Sequence, residues 1–200
     1  MMIKKENMTE AELVQQCING NRSCQEMFYR KYASKMYGVC LGYVNNRDDA
    51  KDIMQEGFIK VFSSLKSYTA TGSLEGWVRR IIVNTAIDYY RKTLKYKETE
   101  DIENVGDVEV EISVLERIEV AELMELIHKL PKGARIIFNL YAIEGYQHNE
   151  IASMLGISQG TSKSQFSRAR ALLKEWVNQL YPQYLKKVFS PINSSKNENE

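Results

Sequence analysis

The chain has 200 residues, 44% hydrophobic and 26% charged, with a formal net charge of +1, which is the composition of a soluble globular protein of one medium or two small domains. No apolar run reaches the roughly 18 residues of a membrane span, and none follows the first lysines as a secretory signal requires, so a cytoplasmic protein is expected. Three cysteines without CxxC spacing, and two histidines (His128 and His148) outside any metal-ligand motif, argue against a disulfide framework, a zinc site or a bound cofactor.

Apolar residues recur at helical spacing almost throughout, strand-like alternation is nearly absent, and only Pro131, Pro182 and Pro191 interrupt. This predicts an all-α protein. About four helices are expected from Thr9 to Lys95. Cys17 and Cys24 are seven apart and can share a helical face, and Cys40 sits in the apolar run Val39–Leu41; buried, reduced thiols fit all three.

The helix around "NNRDDAKDIMQEGFIKVFSSL" divides cleanly. Ala50, Ile53, Met54, Gly57, Phe58, Val61, Phe62 and Leu65 share a broad core arc, while Asp48, Asp49, Asp52 and Glu56 gather opposite with Ile59 among them. Acids around an exposed apolar residue suit a docking surface for a basic partner; a solvated acidic face with one stray Ile has the same pattern. The loop "KSYTATGS" follows and leads into "SLEGWVRRIIVNTAIDYYRK". Val78, Ile81, Ile82, Thr85 and Tyr89 form this helix's core arc. A second stripe of Arg80, Asn84, Ile87 and Arg91 has Trp77 and Asp88 beside it. An aromatic and hydroxyl-rich loop next to a basic stripe suits unstacked bases on a nucleic-acid backbone; taken alone, the helix fits a solvated face with an incidental aromatic.

Charge then changes. Residues 1–97 carry 16 Lys/Arg against 10 Asp/Glu, residues 98–120 one Arg against nine acids, and residues 121–200 ten Lys/Arg against seven acids. Two basic segments joined by an acidic one suit a polyanionic partner, although an acidic linker between two neutral domains also gives this pattern. "KETEDIENVGDVEVE" has no helical apolar face and reads as a flexible tether. Helices are expected to resume near Ile112–Leu115 and to continue to about Leu185, before a polar, disordered tail "SPINSSKNENE".

Within this second lobe, "NEIASMLGISQGTSKSQFSRARALLKEW" reads as a helix holding Ile151, Ala152 and Leu155, a break at Gly156, a cap at Ser158 and a second helix. Its inner face carries Ser162, Phe166, Ala169 and Leu173; its outer face offers Lys163, Ser164, Gln165, Ser167, Arg168 and Arg170. Helix, glycine turn and a helix rich in Arg, Lys, Gln and Ser is the helix-turn-helix pattern, because those side chains reach base edges and phosphates.

Three blocks in order, "DDAKDIMQEGFIKVF", "GSLEGWVRRIIVNTAIDYYRK" and "LPKGARIIFNLYAIEGYQHNEIASMLGISQGTSKSQFSRARALL", resemble an extracytoplasmic-function sigma factor, the small two-domain class of bacterial RNA polymerase specificity subunit. The resemblance implies a region 2 domain over 8–95, an acidic flexible linker over 96–117, a region 4 helix-turn-helix domain over 118–182 and a disordered tail over 183–200. It implies that Asp49, Asp52, Gln55, Glu56 and Ile59 dock on the clamp helices of the polymerase large subunit. The loop from Tyr68 through Thr69 to Ser73 would receive a flipped base of the −10 strand. Trp77 beside the loop would support unstacked bases, Asn84 with Arg80 would contact the −10 strand, and Arg91 and Lys92 would hold phosphates. Gln159, Thr161, Lys163, Ser164, Gln165, Ser167 and Arg168 would face the −35 major groove. Further implied partners are the polymerase flap, promoter DNA and an anti-sigma factor, often membrane-anchored; the free chain would be monomeric and not itself inserted in a membrane.

Some positions depart from the family pattern. Lys51 stands where an acid is usual, Gln147 where a capping Ser or Thr is usual (predicting a frayed helix start), Ser162 where Val is typical and Gln165 where a basic residue is expected. A helix-turn-helix regulator with an N-terminal sensing bundle explains the second lobe but gives the acid–Ile59 face and the Arg80/Asn84/Arg91 stripe no role. An enzyme is not expected, because the sequence shows no Gly-rich phosphate loop, metal cluster or nucleophile–base motif.

Overall fold

The computed structural model describes residues 8–44, 46–95 and 120–180, and every regular element among them is helical. The chain runs α1 (Glu10–Ile18), α2 (Arg22–Leu41), α3 (Arg47–Ser64), a 3-10 turn (Leu65–Ser67), α4 (Leu74–Lys95), α5 (Val120–Lys129), α6 (Lys132–Phe138), a π-helical turn (Asn139–Ile143), α7 (His148–Leu155) and α8 (Gln159–Leu180). The tether expected over 96–117, the helical start near Ile112 and the tail over 183–200 lie outside the described residues. Among the described residues no helix is long and apolar enough to cross a membrane.

Polar caps set most of the helix starts, because the first backbone N–H groups of a helix have no partner within it. Thr9 and Glu12 close a reciprocal box on α1, with Thr9 N–H donating to Glu12 Oε2 at 2.8 Å and Glu12 N–H to Thr9 Oγ1 at 3.2 Å. Asn21 Oδ1 accepts from Cys24 N–H at the start of α2, and Asn46 Oδ1 from Asp49 N–H at the start of α3.

One apolar core runs through α1–α4, centred on Phe28, Tyr32, Met36, Ala50, Val61, Val78 and Ile82. The expected core faces of α3 and α4 are mostly buried there, with Ile81, Tyr89 and Phe62 half-buried at the edge. One expectation fails: Ile87, read as part of the outer stripe of α4, is 3% exposed. The reason is that α4 packs on α2, α3 and α7 together, so its buried arc is wider than one neighbour would make it. Cys17, Cys24 and Cys40 are free and buried. Burial pushes the Cys40 thiol up to about 12 and the Cys17 thiol up to about 11, which makes both poor nucleophiles.

A second core joins Leu126, Ile127, Leu130, Ala134 and Phe138 to Ala169, Leu173 and Val177 of α8. Helix α6 serves both cores, since its Ile136 and Ile137, with Leu140, Ile151 and Leu155, belong to the first. The two lobes are therefore packed on each other.

Two glycines test the packing with opposite signs. A Cβ at Gly57 would lie 2.4 Å from Ile82 Cδ1 and 3.6 Å from Ile82 Cα, and Ile82 is fully buried, so its ethyl arm has no free space to enter. Overpacking of about 1–3 kcal/mol then exceeds the roughly 1 kcal/mol helix-propensity gain of Ala over Gly. A Cβ at Gly38, exposed on α2, would meet nothing within 4 Å. Gly57→Ala is expected to lower the urea midpoint and Gly38→Ala to raise it by the equivalent of about 1 kcal/mol. Equal midpoints for the two variants would refute the tight α3–α4 approach.

Candidate nucleic-acid interface

Opposite its core, α3 presents Asp52, Gln55 and Glu56 exposed, with Ile59 70% exposed among them. Lys51 does not interrupt this face as a free cation, because its ammonium lies 3.0 Å from Asp48. Lys60 lies 3.0 Å from Glu56 and 3.4 Å from Asp88 of α4, tying the acidic face to the neighbouring helix. Asp49 is half-buried and accepts from Asn46 Nδ2 at 2.8 Å. Burial, and then the bond its hydroxyl makes to Asp49, push Tyr89 up to about 12. Asp52, Gln55, Glu56 and Ile59 are thus the exposed groups of this face, with Asp49 half-buried one turn before them.

The loop before α4 is built by its own side chains. The Tyr68 hydroxyl donates to the Gly72 carbonyl at 2.8 Å, and its ring lies 5.4 Å from the half-buried Trp77 ring at 54°. Ala70, between Thr69 and Thr71, has φ +56°, a conformation costing of order 1–3 kcal/mol for a residue with a Cβ. The two threonine hydroxyls are 3.3 Å apart, and Thr69 is exposed. Ser73 Oγ accepts from Gly76 N–H at 3.1 Å, so it caps α4 and keeps its own O–H free to donate outward. Beyond it the exposed stripe reads Arg80, Asn84, Asp88, Arg91 and Lys92. Loop and stripe are contiguous, as a single strand tracking along α4 requires.

In the second lobe, Gly156 closes α7 at φ +69°, the left-handed cap that glycine adopts freely. Ser158 Oγ accepts from Thr161 N–H at 2.9 Å and starts α8. The frayed start expected of α7 is not found, because Gln147 N–H donates to Glu150 Oε2 at 2.7 Å and Glu150 does the capping. Ser162 is also accounted for. It is fully buried, and its Oγ lies 2.9 Å from His148 Nδ1, whose ring stacks on Tyr141 at 4.3 Å. A polar inner-face residue is tolerated here because the histidine satisfies it.

The outer face of α8 is narrower than the sequence predicts. Gln159 and Lys163 are exposed, and Thr161, Ser164, Gln165 and Arg168 are half-buried. Ser167, expected to face a DNA groove, is 7% exposed. Helix α8 packs on α5, α6 and α7 at once, which draws this small side chain into the buried arc.

Burial, followed by Lys163 for His148 and by Arg135 for His128, lowers both imidazoles below their ordinary value of 6.5. Below pH 6.5 the unfolded chain takes up these protons before the folded one, so stability present above that pH is lost on acidification. The urea midpoint is expected to fall as pH drops from 6.5, and His148→Asn to flatten the slope. An unchanged slope in that variant would show that His148 does not carry the effect.

Sequence reasoning missed the groups that join the lobes. Glu144 grips Arg79 through two bonds of 2.6 and 2.7 Å, and Asn139 Nδ2 donates to the Gly42 carbonyl at 2.6 Å. The partners are 65 and 97 residues apart, and no local periodicity signals such pairs.

An all-helical chain with an acidic apolar knob, an aromatic loop beside a basic stripe and a helix-turn-helix is a two-lobed protein of the DNA-binding class. The Sigma-70 region 2 family matches residues 28–95, and the Sigma-70, region 4 family matches residues 121–173. The "ECF RNA polymerase sigma-E factor" of Haemophilus influenzae is 31% identical over 191 residues, covering 88% of this chain and 98% of that one. The "ECF RNA polymerase sigma factor SigE" of Mycolicibacterium smegmatis is 31% identical over 153 residues, 74% of this chain and 59% of that one. Among solved structures, the sigma factor RpoE in complex with the anti-sigma factor NepR from Bartonella quintana is similar at a TM-score of 0.47 and 18% identity, covering 76% of this chain and 96% of that chain. The chain belongs to the extracytoplasmic-function sigma factors of RNA polymerase, alternative sigma factors for transcription initiation.

Proposed function

We propose that the chain binds core RNA polymerase through Asp49, Asp52, Gln55, Glu56 and Ile59, melts promoter DNA by capturing the −10 strand, and reads the −35 element through α8. The observation that carries this is the Ile59 face: an apolar side chain 70% exposed amid Asp52, Gln55 and Glu56. A transcription regulator that never meets polymerase has no use for it, whereas a basic partner helix covers both its apolar centre and its acidic rim. Tyr68, Thr69, Ser73 and Trp77 hold an unstacked base, Arg80 and Asn84 contact the strand, and Arg91 and Lys92 hold phosphates. Gln159, Thr161, Lys163, Ser164, Gln165 and Arg168 face the −35 groove, and Ser167 supports them from within. The DNA-melting lobe spans 8–95 and the helix-turn-helix lobe 118–182, joined by the acidic linker over 96–117 and followed by the tail over 183–200. The protein works in the cytoplasm, makes or breaks no covalent bond, and is held in check by an anti-sigma factor.

A tagged pull-down from nuclease-treated bacterial lysate tests this. Core polymerase subunits are expected to co-purify. A clean dimer that binds duplex DNA and brings no polymerase would favour an ordinary helix-turn-helix regulator.

A further inference from the structure

His148 opens α7 and is the one imidazole of the helix-turn-helix. Its ring is clamped. Nδ1 lies 2.9 Å from Ser162 Oγ of α8, Tyr141 stacks on the ring at 4.3 Å and 15°, and Phe166 of α8 meets it at 5.7 Å and 63°. Ser162 is fully buried, whereas His148 is half-buried. The two nitrogens lie on opposite sides of an imidazole, so tying Nδ1 to a buried hydroxyl turns Nε2 toward solvent. The exposed Lys163 follows Ser162 on α8 and acts on the charge of the ring. This is the side from which DNA approaches a helix-turn-helix, whose first helix crosses the phosphate backbone while the second enters the groove.

Ser162 gives the clamp a property that the valine usual at this position lacks, because a hydroxyl can either donate or accept. It donates to Nδ1 of a neutral ring protonated on Nε2, and it accepts from Nδ1–H of the charged ring. The imidazole therefore gains a proton without losing its inner partner. In both states Nε2–H is a donor facing out of the fold.

We propose that His148 is a DNA-backbone contact of the helix-turn-helix: Nε2–H donates to a phosphate, and the ring takes up a proton from solvent as the phosphate arrives. The contact rests on the reading of α8 as the −35 helix and adds to it a residue of α7 whose strength depends on pH. In the free chain, burial and then Lys163 hold the imidazole below its ordinary 6.5. A phosphate at hydrogen-bond distance favours the charged form instead. Binding then takes up a proton, so affinity rises as pH falls through this range. Other charged groups on the surrounding elements are engaged elsewhere. Glu150 of α7 accepts from Gln147 N–H, Glu144 beyond the π-helical turn holds Arg79 of α4, Arg80 of α4 bonds the Tyr146 hydroxyl, and Arg170 of α8 lies 5.7 Å from the Phe166 ring centre.

The test is binding of the full chain to a short fluorescein-labelled duplex of randomised sequence, read by anisotropy at low salt. A phosphate contact carries no sequence information, so no particular promoter is needed. The chain has two histidines, and histidine is the side chain that ordinarily titrates between about pH 7.2 and about pH 6. Wild type is expected to bind about fivefold more tightly at the lower pH. Its plot of log affinity against log salt should steepen there by up to about 0.9, the increment of one more neutralised phosphate on duplex DNA. His148→Gln is expected to bind equally at both pH values with one salt slope, and His128→Gln to behave as wild type. Ser162→Val keeps the imidazole but removes the hydroxyl that must accept from the charged ring, and it is expected to lose the pH response as well.

A wild-type affinity that does not change with pH, or a pH response that survives His148→Gln, would overturn the contact. Survival of the response in Ser162→Val would overturn the part given to the hydroxyl. Helical circular dichroism at both pH values shows whether each variant is folded; should His148→Gln fail that check, His148→Asn carries the same comparison. Arg168→Gln separates the contact from the reading it rests on, since it is expected to weaken binding at both pH values and to keep the fivefold ratio. Undiminished binding in Arg168→Gln would remove α8 from the DNA interface. Weakened binding there, beside a flat wild-type response to pH, would remove His148 alone.

Discussion

Trp77→Ala and Asn84→Ala are each expected to impair open-complex formation while leaving binding to core polymerase intact. A base stacked on an aromatic side chain is worth about 1–3 kcal/mol, so losing the Trp77 platform should reduce open complexes about 5- to 150-fold. Trp77 is half-buried and shares its ring contact with Tyr68, so its removal also costs some stability; a thermal melt separates that loss from the functional one. Asn84 is exposed, and its truncation should leave the melt unchanged. The check is a permanganate footprint of the melted region beside a pull-down of polymerase from the same preparation. Parallel loss of footprint and pull-down would mean that α4 supports the docking face rather than the DNA strand.

The second large effect is expected at α3. Asp52→Lys/Glu56→Lys with Ile59→Lys should weaken binding to core polymerase by about 30-fold or more, because buried anchors contribute 2 kcal/mol or more and like-charge contact with a basic partner adds to that. The fold should not register the change. Ile59 projects into solvent, and the Glu56–Lys60 pair it disturbs is a surface pair worth about 0–1 kcal/mol. The single charge reversals should lose less as salt rises, since exposed charges are screened beyond about 8–10 Å at physiological ionic strength, whereas the Ile59 contribution should persist. An affinity within about threefold of wild type for the triple variant would move the docking surface elsewhere.

Much of the candidate site was legible in the linear pattern. The acidic face of α3 and the stripe on α4 each follow from helical spacing on one element, and the cap at Ser158 follows from residue type just before a helical run, whereas the cap Ser73 makes on α4 was not read from the sequence. The turn glycine at 156 was legible for the same reason, since a left-handed residue between two amphipathic stretches calls for glycine. Ser162 and Gln147, read as departures from the family pattern, were legible as departures only. Their compensation comes from His148 across the turn, and from Glu150 three residues on acting in place of the expected hydroxyl.

The sequence by itself therefore determined the helical class, the order of the elements and the outward chemistry of each helix, because those depend on residues within a turn or two of one another. Only the tertiary structure decided how wide each buried arc is. Ile87 and Ser167 are covered because α4 and α8 each pack against three other helices, and neighbour number is not encoded in the period of a single helix. The tertiary structure also decided that the lobes close on each other through Arg79–Glu144 and Asn139–Gly42. Contacts between groups so distant in sequence are selected by the geometry of the assembled fold, where burial makes an unpaired charge or amide costly and so specifies its partner.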